Sequence, residues 1–202
     1  MKINTETLYP DTYYHIFNRG INKENIFTKD KNYNYFLNKY AKYIYPIART
    51  YAYCLLGNHF HFLIKIRSET EIRNKFSIEN ELSINKIISL QFSHLFNSYA
   101  QSINKANHRT GALFETPFRR LEVKDDAHFT QLICYIHLNP QKHKIFNDYK
   151  SYIHSSYLNF LNNKATKLER EDVINWFGDK DEFIRIHQEY EKYTFQEVIF
   201  LD

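Results

Sequence analysis

His59-Phe60-His61-Phe62-Leu63-Ile64-Lys65 is rich in aromatic and apolar residues and reads as a β-strand. Successive strand side chains point to opposite faces, so His59 and His61 share one side while Phe60, Phe62 and Ile64 take the other. Two strand rises put the histidine Cα atoms roughly 6.5 Å apart, a span across which two imidazoles close on one metal ion. The same pattern fits a strand that shows its histidines to solvent or to hydrogen-bond partners, and the chain holds ten histidines.

Upstream, residues 47–56 read as a second strand, and Gly57-Asn58 is a two-residue turn that makes the pair an antiparallel hairpin. Glycine in the first turn position predicts type II′ and delivers His59 just after the bend, at an accessible sheet end. Tyr13-Tyr14-His15-Ile16-Phe17-Asn18 reads as a first strand ending at Arg19-Gly20. From Tyr33, the residues Phe36, Leu37, Tyr40, Ala41 and Ile44 recur at helical spacing, with Asp30 as cap and Pro46 beyond the end. A long helical pattern over 81–105 carries Ile84, Ile88, Phe92, Leu95, Phe96, Tyr99 and Ile103 on one face, and His108-Arg109-Thr110-Gly111 closes it.

Residues 118–124 read as a fourth strand, and Asp125 or Asp126 caps a helix running to about Leu138. This order predicts an α+β fold, a ferredoxin-like antiparallel sheet with covering helices, over residues 1–157. Residues 158–202 are expected to form an acidic, helical C-terminal appendage that docks through Trp176-Phe177-Gly178 and Phe183-Ile184.

Composition narrows the function classes. A chain of 202 residues, 43% hydrophobic and 25% charged, fits one globular domain with an appendage, or at most two small ones, and not a disordered segment. Four Gly and four Pro beside 17 Tyr and 17 Phe favour long regular elements. The net charge of +4 is uneven, since residues 159–202 sum to −4 and leave +8 on the rest. A basic body is what a polyanion binder needs, because each Lys or Arg that neutralises a phosphate releases counterions. Cys54 and Cys134 lie in apolar segments without metal-site spacing, so buried free thiols are expected in place of a disulfide or zinc knuckle. No leader pattern and no apolar run of roughly 18 residues is present, and a cytosolic protein is expected.

The last helix of the body carries Phe129, Leu132, Ile133 and Ile136 as its apolar stripe, and Tyr135 and Asn139 flank that stripe one turn apart. Pro140 is expected to end the helix, making Asn139 its last residue. A tyrosine one turn from an amide oxygen, near two histidines, has a defined use. The phenol attacks a phosphodiester while a cation held by His59, His61 and Asn139 polarises a phosphate oxygen. Mg²⁺ or Mn²⁺ suits two nitrogens, one oxygen and open positions for substrate. By position alone, Tyr135 reads first as an ordinary half-buried helical tyrosine and Asn139 as a cap before proline, and nothing in the spacing brings this helix to the histidine strand.

Four blocks together resemble the REP-associated tyrosine transposases, a branch of the HUH single-strand transposases. They are Tyr14-His15-Ile16-Phe17-Asn18-Arg19-Gly20, Tyr53-Cys54-Leu55-Leu56-Gly57-Asn58-His59-Phe60-His61-Phe62-Leu63, Arg109-Thr110-Gly111-Ala112-Leu113-Phe114 with Phe118-Arg119, and Tyr135-Ile136-His137-Leu138-Asn139-Pro140. They occur in family order, and the resemblance runs from about Thr12 to Tyr157. Gly57 departs from it, standing where proline commonly precedes the Asn-His pair.

The resemblance implies an HUH endonuclease domain in which His59, His61 and Asn139 bind a divalent metal, Mg²⁺ or Mn²⁺. Tyr135 then cuts single-stranded DNA and becomes joined to its 5′ phosphate. Family members recognise imperfect hairpins formed by palindromic repeats. Arg19, Arg109, Arg119, Arg120 and Lys124 are the candidate phosphate contacts. The competing readings are a hairpin-binding regulator without catalysis and a structural metal-binding domain, and monomer and homodimer both stay open.

Overall fold

The computed structural model describes residues 6–77 and 82–197. Its sheet has four antiparallel strands, β1 (Tyr13–Arg19), β2 (Ala48–Leu56), β3 (His59–Ile66) and β4 (Arg119–Glu122), in the order β2-β3-β1-β4. Helix α1 (Asp30–Tyr43) links β1 to β2, and α2 (Glu69–Phe76) and α3 (Ile84–Ala106) link β3 to β4. Helix α4 (Asp126–Lys142) follows β4, and then come α5 (Tyr157–Leu161), α6 (Arg170–Phe177) and α7 (Lys180–Glu197). The expected α+β fold with a ferredoxin-like strand order is observed.

Both faces of the sheet are covered, which is why β3 is almost continuously buried. Tyr14, Ile16, Phe60, Phe62 and Ile64 join Phe36 and Tyr40 of α1 and Phe92, Leu95 and Tyr99 of α3 in one core. On the other face Cys54, Leu56 and Leu63 meet Phe129, Leu132, Ile133 and Ile136 of α4. Phe160, Val173, Phe177 and Phe183 complete this second core, so α5, α6 and α7 pack on the sheet side that carries α4. The docking expected of the appendage is visible in Trp176, whose ring stacks on Phe129 at 4.3 Å. Residues 154–156 and 168–169 hydrogen-bond along β2 and cover that edge of the sheet.

Several local expectations need correction. Helix α2 was not foreseen; Ser68 accepts from the Glu71 amide while Glu71 returns a bond to the Ser68 amide, a reciprocal cap that supports a two-turn helix. Asp30 is the first helical residue of α1 and not its cap; Asn32 Oδ1 instead accepts from the Thr28 and Lys29 amides. The start expected for α3 at Glu81 lies outside the described residues. β4 is shorter than 118–124.

Gly57 lacks the positive φ of a type II′ turn. Its carbonyl accepts from the Ile26 and Phe27 amides, and a Cβ there would press on Asn25 Oδ1 at 3.1 Å, so close approach is what the position demands. Pro140 does not end α4, which continues to Lys142. The ring removes one amide donor, but the His143 amide still reaches the Asn139 carbonyl at 3.1 Å and carries the turn past it. Asn139 is therefore an interior helical residue.

Candidate active site

The β1–β3 register opposes Phe17 to His61 and Arg19 to His59. Alternation then gathers His15, Phe17 and Arg19 on the histidine side of the sheet, and α4 crosses that side. The Tyr135 ring lies 5.6 Å from the His61 ring and 6.2 Å from that of His15, nearly perpendicular to both. Strand and helix thus bring together residues 74 positions apart.

Each histidine of the pair has one ring nitrogen engaged. His59 Nδ1 lies 2.6 Å from Asn58 Oδ1, and Asn58 Nδ2 donates to the Lys23 carbonyl at 3.2 Å, which fixes the amide's oxygen toward the ring. His59 Nδ1 is therefore the donor, and its Nε2 keeps a lone pair. His61 Nδ1 lies 2.9 Å from His15 Nε2. Phe17 stacks on both rings, 4.6 Å from His15 and 5.6 Å from His61.

Burial sets the charge state. Desolvation, reinforced by the neighbouring His143, pushes His59 down to about 4, although the Asn139 side chain opposes the shift. Desolvation and then His15 hold His61 well below the ordinary imidazole range, and desolvation lowers His15 to about 3. All three rings are neutral at pH 7, the state in which an imidazole ligates.

Asn139 is fully buried, and its Nδ2 donates to the Tyr135 carbonyl at 3.3 Å. Its Oδ1 is buried and has no hydrogen-bond partner among the described residues, although the side chain is near enough to act on His59. An orphaned amide oxygen beside His59, two residues along β3 from His61 and with the Nδ1 atoms of both rings engaged, fits a divalent cation. Among the described residues no three His, Cys, Asp or Glu side chains come together to hold a metal, so such a site rests on two imidazoles and this amide.

Tyr135 lines both a cavity of 590 Å³, shared with Arg19, Lys23, His59, His61, Arg119 and His143, and a neighbouring hollow of 390 Å³. Among the described residues that line the cavity the one acidic side chain is Glu115, and it pairs with Arg19. The basic candidates divide accordingly. Arg19 and Arg119 face the cavity. Arg120 alternates to the opposite side of β4, where its guanidinium lies 4.8 Å from the Phe118 ring and burial lowers its pKa. Arg109 holds its own loop through the Ala112 carbonyl, Asn104 and Glu24, and Lys124 is exposed beyond the end of β4.

Sequence reasoning missed His15, Lys142 and His143. Lys142 Nζ lies 5.0 Å from the centre of the Tyr135 ring, and His143 stands 5.3 Å from His59. The alternation of β1 could have put His15 with Phe17, but only the strand register sets it against His61. Lys142 and His143 reach the site because α4 runs past Pro140.

No protein-family model matches the chain, and no curated protein matches it. Among solved structures, the chain is similar to a REP-associated tyrosine transposase bound to a REP hairpin, with a TM-score of 0.59 and 9% identity over 84% of this chain and 96% of that one. At that identity the likeness is one of fold, and the chain shares the mixed architecture of that transposase.

Proposed function

We propose that the protein is a metal-dependent single-stranded DNA endonuclease and strand transferase that acts beside hairpins through a tyrosine nucleophile. The observation that carries this reading is the position of Tyr135 on the wall of a basic cavity, 5.6 Å from His61, beside two neutral imidazoles and an unpartnered amide oxygen. The hairpin bound by the structural neighbour supports the choice of DNA.

Arg19 and Arg119, with Lys23 and Lys142 beside them, hold the phosphates of the strand in the cavity. Tyr135 Oη attacks the phosphorus of one phosphodiester. A bond forms between Oη and the 5′ phosphate, the bond to the 3′ oxygen breaks, the phenolic proton leaves to solvent, and the departing 3′ oxygen takes up a proton. Attack of a 3′ hydroxyl on the phosphotyrosine reverses these changes and joins a new strand. His59, His61 and Asn139 would hold Mg²⁺ or Mn²⁺, whose chemistry there is polarisation of a phosphate oxygen. Asn58 keeps His59 in place, His15 contacts His61, and the α4 backbone holds Asn139.

The protein is incubated with Mn²⁺ or Mg²⁺ and single-stranded hairpin oligonucleotides, and adducts are resolved on denaturing gels. A covalent protein–DNA species that disappears in Tyr135→Phe, with hairpin binding retained, is the expected result. Hairpin binding without an adduct assigns the protein to regulation. No binding to any hairpin removes DNA from the reading.

A further inference from the structure

His15 and His61 share one proton-bearing contact, 2.9 Å between His15 Nε2 and His61 Nδ1, and both rings are buried with only 8% and 6% of their surfaces exposed. The contact has two arrangements with opposite consequences. If His61 donates from Nδ1, its Nε2 is a bare lone pair available to a ligand in the cavity. If His61 accepts, its own hydrogen sits on Nε2 and no ring nitrogen is left to ligate. His59 faces no such choice, because the oriented amide of Asn58 can only accept there. The partner of His61 can do either.

We infer that His15 is a positioning residue for the metal site. It accepts through Nε2, carries its own hydrogen on Nδ1, and thereby holds His61 in the Nδ1–H form with Nε2 free. Phe17 makes this possible by stacking on both imidazoles, 4.6 Å from one and 5.6 Å from the other, with interplanar angles of 27° and 21°. The two histidine rings are themselves within 24° of parallel, so they meet edge to edge with Phe17 stacked against both. This inference rests on the reading of His61 as a metal ligand, and the experiment separates the two.

Mn²⁺ affinity of the full chain, without DNA, is measured by the electron paramagnetic resonance of the free ion for wild type, His15→Phe, His15→Gln and His61→Ala. His15→Phe keeps a ring of similar bulk but offers no acceptor, and should weaken Mn²⁺ binding by about 10–100-fold, the usual cost of losing a ligand's supporting partner. His15→Gln, whose amide oxygen can accept, should recover most of that loss. A merely structural role would not show this rescue. Ring ¹⁵N shifts of metal-free wild type should report a protonated Nδ1 and a bare Nε2 on His61, and they decide the matter should His15→Phe fail to fold. Wild-type affinity in His15→Phe, or a His61 protonated on Nε2, overturns the role of His15 while leaving the ligand assignment standing. Mn²⁺ binding that His61→Ala leaves untouched overturns the ligand assignment and His15's role with it.

Discussion

His137 Nδ1 and His187 Nε2 lie 2.8 Å apart, both rings wholly buried, and this contact ties α4 to α7. The Phe183 carbonyl accepts from His187 Nδ1 at 2.7 Å, so His187 Nε2 must accept from His137 Nδ1. His137 Nε2 in turn accepts from Ser156 Oγ at 2.8 Å, and Ser156 Oγ receives the Tyr53 amide at 2.9 Å. Two neutral rings and one hydroxyl satisfy one another from the last helix, through the helix bearing Tyr135, to the sheet.

That chain works only while both rings stay uncharged. Burial lowers His187 to about 4 and holds His137 well below its ordinary value, so the unfolded chain binds more protons than the folded one as pH falls below about 6.5. Stability is full above that pH and is lost as the solution approaches pH 4. Urea denaturation should give an unfolding free energy at least about 2 kcal/mol lower at pH 5 than at pH 7, the part due to His187, with the other buried histidines adding to it. An unchanged value would mean that the buried rings take up protons in the folded chain as readily as in the unfolded one.

Asn139 separates function from stability. Its buried, unpartnered Oδ1 is a cost to the metal-free fold, so Asn139→Leu should leave the metal-free unfolding free energy within about 1 kcal/mol of wild type or raise it. Adduct formation should fall by about 100-fold or more, because the proposed site loses its one oxygen ligand. Destabilisation beyond about 2 kcal/mol without loss of activity would make the amide structural.

The two neighbouring arginines of β4 should behave differently. Arg119→Ala removes a cation from the cavity wall and should lower hairpin affinity, with the salt slope of binding reduced by about 1. Arg120→Ala acts on the opposite face and should leave that slope unchanged. Equal effects on the salt slope would show that DNA reaches both faces of the strand.

Phe183 is fully buried against Phe160, Phe177 and Tyr157, so Phe183→Ala should cost about 3–5 kcal/mol in urea denaturation of the full chain. A loss below 1 kcal/mol would mean that α7 contributes little to the core beneath α4.

Strands β1 to β3 were legible in the sequence as aromatic and apolar runs bounded by turn residues, and helices α1 and α4 and most of α3 through a 3.6-residue apolar period. Helix α2 and the continuation past Pro140 were not, because a reciprocal cap and a tolerated proline depend on individual hydrogen bonds and not on periodicity. The pairing of His59 with His61 follows from alternation within one strand, whatever surrounds it. Their approach to Tyr135 is different, because strand order, register and the packing of α4 are set by contacts between residues far apart in the chain. The same holds for His15 against His61, for Arg119 and Arg120 parting to opposite faces, and for the orphaned oxygen of Asn139. Local pattern determines which side chains an element offers to each face; only tertiary packing decides which faces meet, and burial there sets the charge on every histidine of the site.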